Sequence, residues 1–233
     1  MHALSRSRRR LLGGVASAGG LAALGATRVL AAPVGSTAIL GYAELPDGTL
    51  EEQHLYALPG KIPLIKKTYR PPNFETPVQF FRTTVTPNNA FFVRYHLAGI
   101  PEVKAADWTM TVGGESAERE LKLTLDQLRK EFEPVRIMAV CLCAGNRRGM
   151  FEPHVAGVEW GVGAMGNALW RGVRLKDVLD KAGVKADALE VVFDGADHAV
   201  FDKTPDFVKS LPIQVARDEN TLIAFEMNGK PLP

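Results

Sequence analysis

Val135-Arg-Ile-Met-Ala-Val-Cys-Leu-Cys-Ala-Gly-Asn-Arg-Arg148 is the stretch around which the rest of the chain can be organised. Its first part, Val135 to Cys141, is a continuous apolar run apart from Arg136. Such a run predicts a strand at the centre of a sheet, covered on both faces. The second part, Cys143-Ala-Gly-Asn-Arg-Arg148, leaves that strand on a glycine-containing turn with two cations close to a thiol. Cations beside a cysteine favour its thiolate, and a soft thiolate suits a redox-active metal better than a hard, oxygen-liking one. A buried, inert cysteine is the alternative. Against it stands the cost of burying Asn146, Arg147 and Arg148 without partners.

Working outward, the glycine-rich residues 149–170 show no regular period and predict a structured loop. Leu175, Val178 and Leu179 then fall at helical spacing, with a stop at Gly183. Leu189 to Phe193 and Thr221 to Met227 read as strands. Asn228-Gly229 is the centre of a hairpin turn, but so few residues follow Lys230 that no return strand is expected. Upstream, Trp108 to Val112 alternates as a strand does. Thr124-Leu-Asp-Gln127 is a capping box opening a helix to about Lys130. Gln79 to Val85 reads as a short strand. Residues 33–75 carry Pro59-Gly60, Pro63 and Pro71-Pro72 without a sustained period, and read as an extended arm ahead of a domain at 76–233. Short strands and short helices in irregular alternation, without long crossover helices, predict an α+β domain built on a mixed sheet.

The 233 residues are 46% hydrophobic and 23% charged, ordinary values for a globular chain. The formal charge of +2 is unevenly spread. Residues 1–32 hold five arginines and no acidic residue, leaving 23 basic against 26 acidic residues, a formal −3, for the remainder. That remainder has no general basic field for nucleic acid. An anionic substrate would need a local group of arginines.

The basic start contains Ser7-Arg-Arg-Arg-Leu-Leu12, then a weakly apolar Gly/Ala-rich run and Ala31-Ala32. It resembles a twin-arginine export signal with a peptidase site, and predicts a periplasmic protein exported folded. A retained membrane anchor is the alternative, although the run is short for about 30 Å of hydrocarbon. Folded export suits a protein whose cofactor is inserted beforehand.

The two cysteines, Cys141 and Cys143, lie two apart on one strand, a poor geometry for a disulfide. No Cys-x-x-Cys-His is present, so no haem attached to this chain is expected. Arg94, within Phe91-Phe92-Val93-Arg94-Tyr95-His96, is either a surface residue of a half-buried strand or a clamp for an oxyanion. Taken singly, His96, Trp160 and Trp170 read equally as core residues, and Asp197 as a loop cap.

Taken together these residues resemble the sulfite oxidase family of molybdopterin-dependent enzymes, most of all bacterial periplasmic sulfite dehydrogenases. Asn88-x-x-Phe91-Phe92-x-Arg94-x-His96 is similar to that family's first cofactor-binding segment, and Cys143-Ala-Gly-Asn-Arg-Arg148 to its molybdenum-cysteine motif. Gly157-Val-Glu-Trp160, the run Gly163 to Leu179, and Glu226 to Pro233 are similar to later segments. The likeness covers about residues 70–233.

The resemblance implies a sulfite-oxidase-type fold and oxidation of sulfite to sulfate by oxygen-atom transfer. Cys143 would ligate molybdenum beside the two dithiolene sulfurs of molybdopterin. Arg94, Arg148 and Trp160 would line the sulfite pocket. Asn88, Phe92, Arg94, His96 and Asp197 would contact the cofactor. Electrons would pass to a separate c-type cytochrome. The family's next cofactor segment, a catalytic tyrosine, a further substrate arginine and an immunoglobulin-like dimerisation domain have no counterpart within these 233 residues. The 233 residues are therefore expected to hold half a site, with homodimer and heterodimer both open. The competing expectations are a sulfoxide reductase using the same cofactor, and a truncated domain that binds cofactor without turnover.

Overall fold

The structure is a computed structural model that describes residues 37–38, 53–97, 99–100, 102–195, 197, 201, 203 and 207–232. The export-type segment, residues 1–32, lies outside them. In chain order the elements begin with five strands: β1 (Thr37–Ala38), β2 (Gln53–Ala57), β3 (Pro63–Thr68), β4 (Asn73–Glu75) and β5 (Val93–Arg94). These pair in that order as one sheet. A hairpin follows, β6 (Thr109–Val112) with β7 (Leu121–Thr124), then helix α1 (Leu125–Glu131) and strand β8 (Pro134–Leu142). Next come β9 (Met165–Arg174), α2 (Leu175–Ala182), β10 (Glu190–Phe193), β11 (Lys209–Pro212), α3 (Ile213–Ala216), β12 (Leu222–Met227) and β13 (Lys230–Pro231). A four-stranded sheet has the order β13-β12-β9-β8, and β10 pairs with β11. The fold is α+β with short helices, as the irregular alternation predicts. Every strand pairing among the described residues is antiparallel.

Local signals place the helices. Thr124 Oγ1 accepts from the Gln127 N–H at 3.2 Å, and Gln127 Oε1 accepts from the Thr124 N–H at 3.0 Å, closing the capping box of α1. In α2 the buried residues are Leu175, Val178, Leu179 and Ala182, one face of a helix. Gly183, at φ 70°, ends it and donates to the carbonyls of Leu179 and Asp180. Leu123, Leu128, Val173, Val178 and Phe225 form a core where the β6–β7 hairpin and both helices meet the four-stranded sheet. Phe91, Ala168 and Met227 form a second one.

Five sequence readings change. The strand expected at Gln79–Val85 is a 3₁₀ helix, Val78–Arg82. Pro77, at φ −61°, starts the turn and its carbonyl accepts the Phe80 N–H at 3.0 Å. β8 is an edge strand rather than a central one, with inward and outward residues alternating; Met138, Val140 and Leu142 stand exposed along it. The loop expected over 149–170 ends early, because ten-residue β9 begins at Met165. Asn228-Gly229 does turn a hairpin, at φ 53° and 75°, and Lys230 returns to pair with Met227. Within the stretch read as an arm, residues 53–75 supply three strands and the buried side chains Leu64, Ile65 and Phe74.

Glycine misleads in β9 because its reason is tertiary. A Cβ on Gly172 would run into the Ile223 carbonyl and Ala224 of β12. Overpacking of this kind costs about 1–3 kcal/mol. Gly172→Ala is expected to lower the unfolding free energy by about 2 kcal/mol in urea titration; an unchanged midpoint would contradict the β9–β12 packing.

Candidate active site

Where β8 leaves β9, its ladder is continued by a turn. Leu142 is the last residue of β8 in register, opposite Met165. The Cys143 N–H then donates to Ala164 O at 3.0 Å, and the Ala164 N–H donates to Asn146 Oδ1 at 3.0 Å. Asn146 donates its own N–H to Cys143 O at 2.9 Å. These bonds hold Cys143 half-exposed at the strand end, with Cys141 exposed two residues before it. The turn closes on the chain that follows. The Arg147 N–H reaches Gly161 O at 2.7 Å, and the Gly149 N–H reaches Trp160 O at 2.9 Å. Arg147 takes φ 69°, rare for a residue with a Cβ.

Arg148 is held in a slot. Its Nη1 donates to Val158 O at 3.2 Å. A Cβ on Gly145 would lie 2.7 Å from Nη2, and one on Gly157 2.6 Å from Nη1. Only glycine leaves room for the guanidinium at both places. Trp160 is 1% exposed, so its indole packs in the interior and its backbone serves the turn.

The Asn88–His96 segment reaches the site from the first sheet. Lys61 Nζ donates to Asn88 O at 2.7 Å and Phe91 O at 3.2 Å, fixing the turn between them. Burial lowers the Lys61 pKa. The Phe91 ring lies over Gly166, which pairs with Cys141, and Phe92 stacks on Phe91 with ring centroids 5.5 Å apart. Asn88 uses its side chain on the far hairpin. Its Nδ2 donates to Met227 O at 2.8 Å, and its Oδ1 accepts from Asn228 Nδ2 at 2.7 Å.

Arg94, on β5, is exposed, with its guanidinium 5.0 Å from the centre of the Phe207 ring. His96 packs on the same ring at 5.2 Å, and Lys209 Nζ lies 4.6 Å from it. The Tyr95 hydroxyl donates to Asp197 Oδ2 at 3.0 Å. Burial, and then the Asp197 carboxylate, push the Tyr95 pKa up.

The predicted residues thus fall into three groups. Cys143, Arg148 and Trp160 share one turn system. Arg94 and His96 gather with Lys209 on the Phe207 ring, and Asp197 accepts from Tyr95, which lies between Arg94 and His96 in the chain. Asn88 and Phe92 sit on the segment between. Strand β4 joins the first two groups: Asn73 pairs with Arg94, while the Thr76 N–H, one residue past the strand, donates to Gly163 O at 3.0 Å. Lys61, Lys209 and Asn228 are site-building residues that the sequence reading did not pick out. Only Asn228 carried a local signal, as a turn residue. A cavity of about 720 Å³ lies elsewhere, between β6, α2 and β10, and none of the predicted site residues lines it.

The donor set fits a cofactor that brings its own metal ligands. Among the described residues no three His, Cys, Asp or Glu side chains come together. A half-exposed thiol offers one soft donor, which suits a metal whose other ligands come with an organic cofactor such as a dithiolene.

A family model described as the oxidoreductase molybdopterin binding domain matches residues 96–233. Mitochondrial sulfite oxidase of Drosophila melanogaster is 37% identical over 174 residues, 70% of this chain and 28% of that protein. The Homo sapiens sulfite oxidase is 37% identical over 195 residues, 79% of this chain and 35% of that protein. Nitrate reductase (NADH) 1 of Oryza sativa subsp. japonica is 35% identical over 156 residues, 64% of this chain and 17% of that one. Among solved structures, the sulfane dehydrogenase SoxCD from Paracoccus pantotrophus matches with a TM-score of 0.59 at 28% identity, over 70% of this chain and 39% of that chain. The chain spans about a third of the length of the curated sulfite oxidases it matches.

The Asn88 bonds allow a test of its part in the fold. Removing one partner of a buried hydrogen bond costs about 1–3 kcal/mol. Asn88→Ala is expected to lower the stability of the cofactor-free chain by about that amount in chemical denaturation. A residue that served only a ligand would leave the cofactor-free chain unchanged.

Proposed function

The chain belongs to the molybdopterin-binding oxidoreductase family, and we propose that within it this protein oxidises sulfite to sulfate. The observation that carries the reading is the Cys143–Arg148 turn, in which a half-exposed thiol and a guanidinium locked between two glycines are fixed by one set of hydrogen bonds. Cys143 would hold molybdenum, with molybdopterin contacted from Phe92, His96 and Asp197. When bound, the cofactor supplies two-electron oxygen-atom transfer.

The chain's own residues supply binding and orientation. Arg148 and Arg94 offer planar forks that match the oxygens of a small oxyanion and offset its charge. Arg94 and Lys209 both lie against the Phe207 ring, which adds a second cation to that cluster. Positioning and electrostatic stabilisation are therefore the protein's share of the rate. The proposed electron acceptor is a separate c-type cytochrome, a haem protein that takes electrons one at a time. The Ser7-Arg-Arg-Arg10 segment supports export of the folded, loaded protein to the periplasm. Sulfite is chosen over a neutral sulfoxide because Arg147, Arg148 and Arg94 favour a small oxyanion over an uncharged substrate.

Protein purified from cells that make molybdopterin is expected to contain molybdenum and to reduce cytochrome c when given sulfite. Cys143→Ser should abolish that turnover. Gly145→Ala should push the Arg148 guanidinium aside and raise the KM for sulfite about tenfold, the loss of roughly one charge-assisted hydrogen bond. Turnover of methionine sulfoxide or nitrate in place of sulfite would overturn the substrate assignment. Cofactor without turnover of any of the three would favour a binding domain.

A further inference from the structure

One buried carboxyl is unused by the site as described so far. Glu75 ends β4 and is 2% exposed. Its Oε1 accepts the N–H of Gly161, and Gly163 packs so closely against the same side chain that a Cβ there would lie 2.9 Å from the Glu75 Cβ. Lys67 Nζ, on neighbouring β3, stands 4.0 Å from Oε1 with only 10% exposure. Burial pushes the Glu75 pKa up, while Lys67 and the Gly161 N–H pull it back. Burying a carboxyl is costly unless its oxygens are satisfied. Here the N–H that Oε1 accepts belongs to a single loop, residues 161–164, and Lys67 faces the carboxyl from β3.

That loop is the one against which Cys143 is fixed. Gly161 O takes the Arg147 N–H, Trp160 O takes the Gly149 N–H, and Ala164 O takes the Cys143 N–H. The Thr76 N–H seats Gly163 O beside the carboxyl, at an approach so close that a Cβ on Gly163 would run into Thr76 O. Residues 161–164 therefore have two sides. One side carries the cysteine turn, and the other is gripped by Glu75 and Thr76.

We propose that Glu75 is the positioning residue of the cysteine turn: its buried carboxyl holds the Gly161 N–H, which, with the Thr76 N–H on Gly163 O, sets the 161–164 loop and through it the placement of Cys143 and Arg147. Glu75 touches neither the thiol nor any substrate; it acts through the loop. This inference rests on the reading of Cys143 as the centre of the site. It is tested on the cofactor-free chain, so its failure can be told apart from failure of the molybdenum reading.

The probe is the rate at which a small maleimide alkylates Cys143, measured on the full chain in a Cys141→Ser background so that a single thiol reports. Glu75→Gln removes the charge and replaces one acceptor with a donor facing the Gly161 N–H. It is expected to raise the alkylation rate about tenfold, the change that follows from roughly one hydrogen bond lost from the loop. Thr76→Val is the control. It alters the next buried side chain but leaves the carboxyl and the Thr76 N–H in place, and it should leave the rate within about twofold at equal distance from the unfolding midpoint. Glu75→Asp, which keeps the charge but reaches less far, should fall between, and stands in for Glu75→Gln if that variant does not fold. Equal rates in all variants, or equal acceleration by Glu75 and Thr76 variants, would overturn the proposal. Molybdenum content of protein made in molybdopterin-producing cells is the second readout, expected to fall in Glu75→Gln and to hold in Thr76→Val. Absence of molybdenum from the unsubstituted chain would count against the cofactor and leave the alkylation result standing.

Discussion

The hydrogen bond from the Cys143 N–H to Ala164 O is where strand pairing gives way to a site. Up to Leu142 the residues of β8 are matched one for one with β9. Beyond it the chain turns, and its polar backbone groups need new partners. Asn146 supplies one, and the carbonyls of Trp160, Gly161 and Ala164 supply the rest. The turn is thus defined by the segment that faces it, and a thiol held this way keeps its position without a metal. Preorganisation of that kind lets a ligand bind without ordering the protein first.

The facing segment is itself held from the amino-terminal sheet. Lys61 ties down the turn leading to Arg94, and Glu75 and Thr76 seat residues 161–163. One short strand, β4, therefore touches both the arginine on β5 and the loop opposite the cysteine. The coupling ties residues 61–96 to residues 143–164, far apart in sequence. It also gives the buried charges Lys61, Lys67 and Glu75 a reason to exist, since charged side chains are rarely buried unless paired or hydrogen-bonded.

Features whose cause is local were legible in the sequence. The Thr124–Gln127 box, the Leu175–Val178–Leu179 spacing with its Gly183 stop, and the Asn228-Gly229 turn all appear where their residues predict. Features whose cause is distant were not. Gly166 reads as a loop residue because nothing nearby reveals that the Phe91 ring lies over it. β8 reads as central because its apolar run says nothing about which partners are present. Lys61 and Glu75 lie in a stretch without period, and a lysine or glutamate there looks like surface until its contacts are known. The candidate site was legible through the Asn88–His96 and Cys143–Arg148 motifs rather than through periodicity. Its residues are placed as a thiol turn and a cationic aromatic cluster, with Asn88 committed to the fold and Trp160 to the interior.

The central claim is that Cys143 gives its sulfur to molybdenum while an organic dithiolene supplies others. X-ray absorption at the molybdenum edge, on protein purified from cells that make molybdopterin, measures this directly. The account predicts one fewer sulfur neighbour in Cys143→Ser than in the unsubstituted protein, with molybdopterin still present. The same number of sulfur neighbours in both would contradict it.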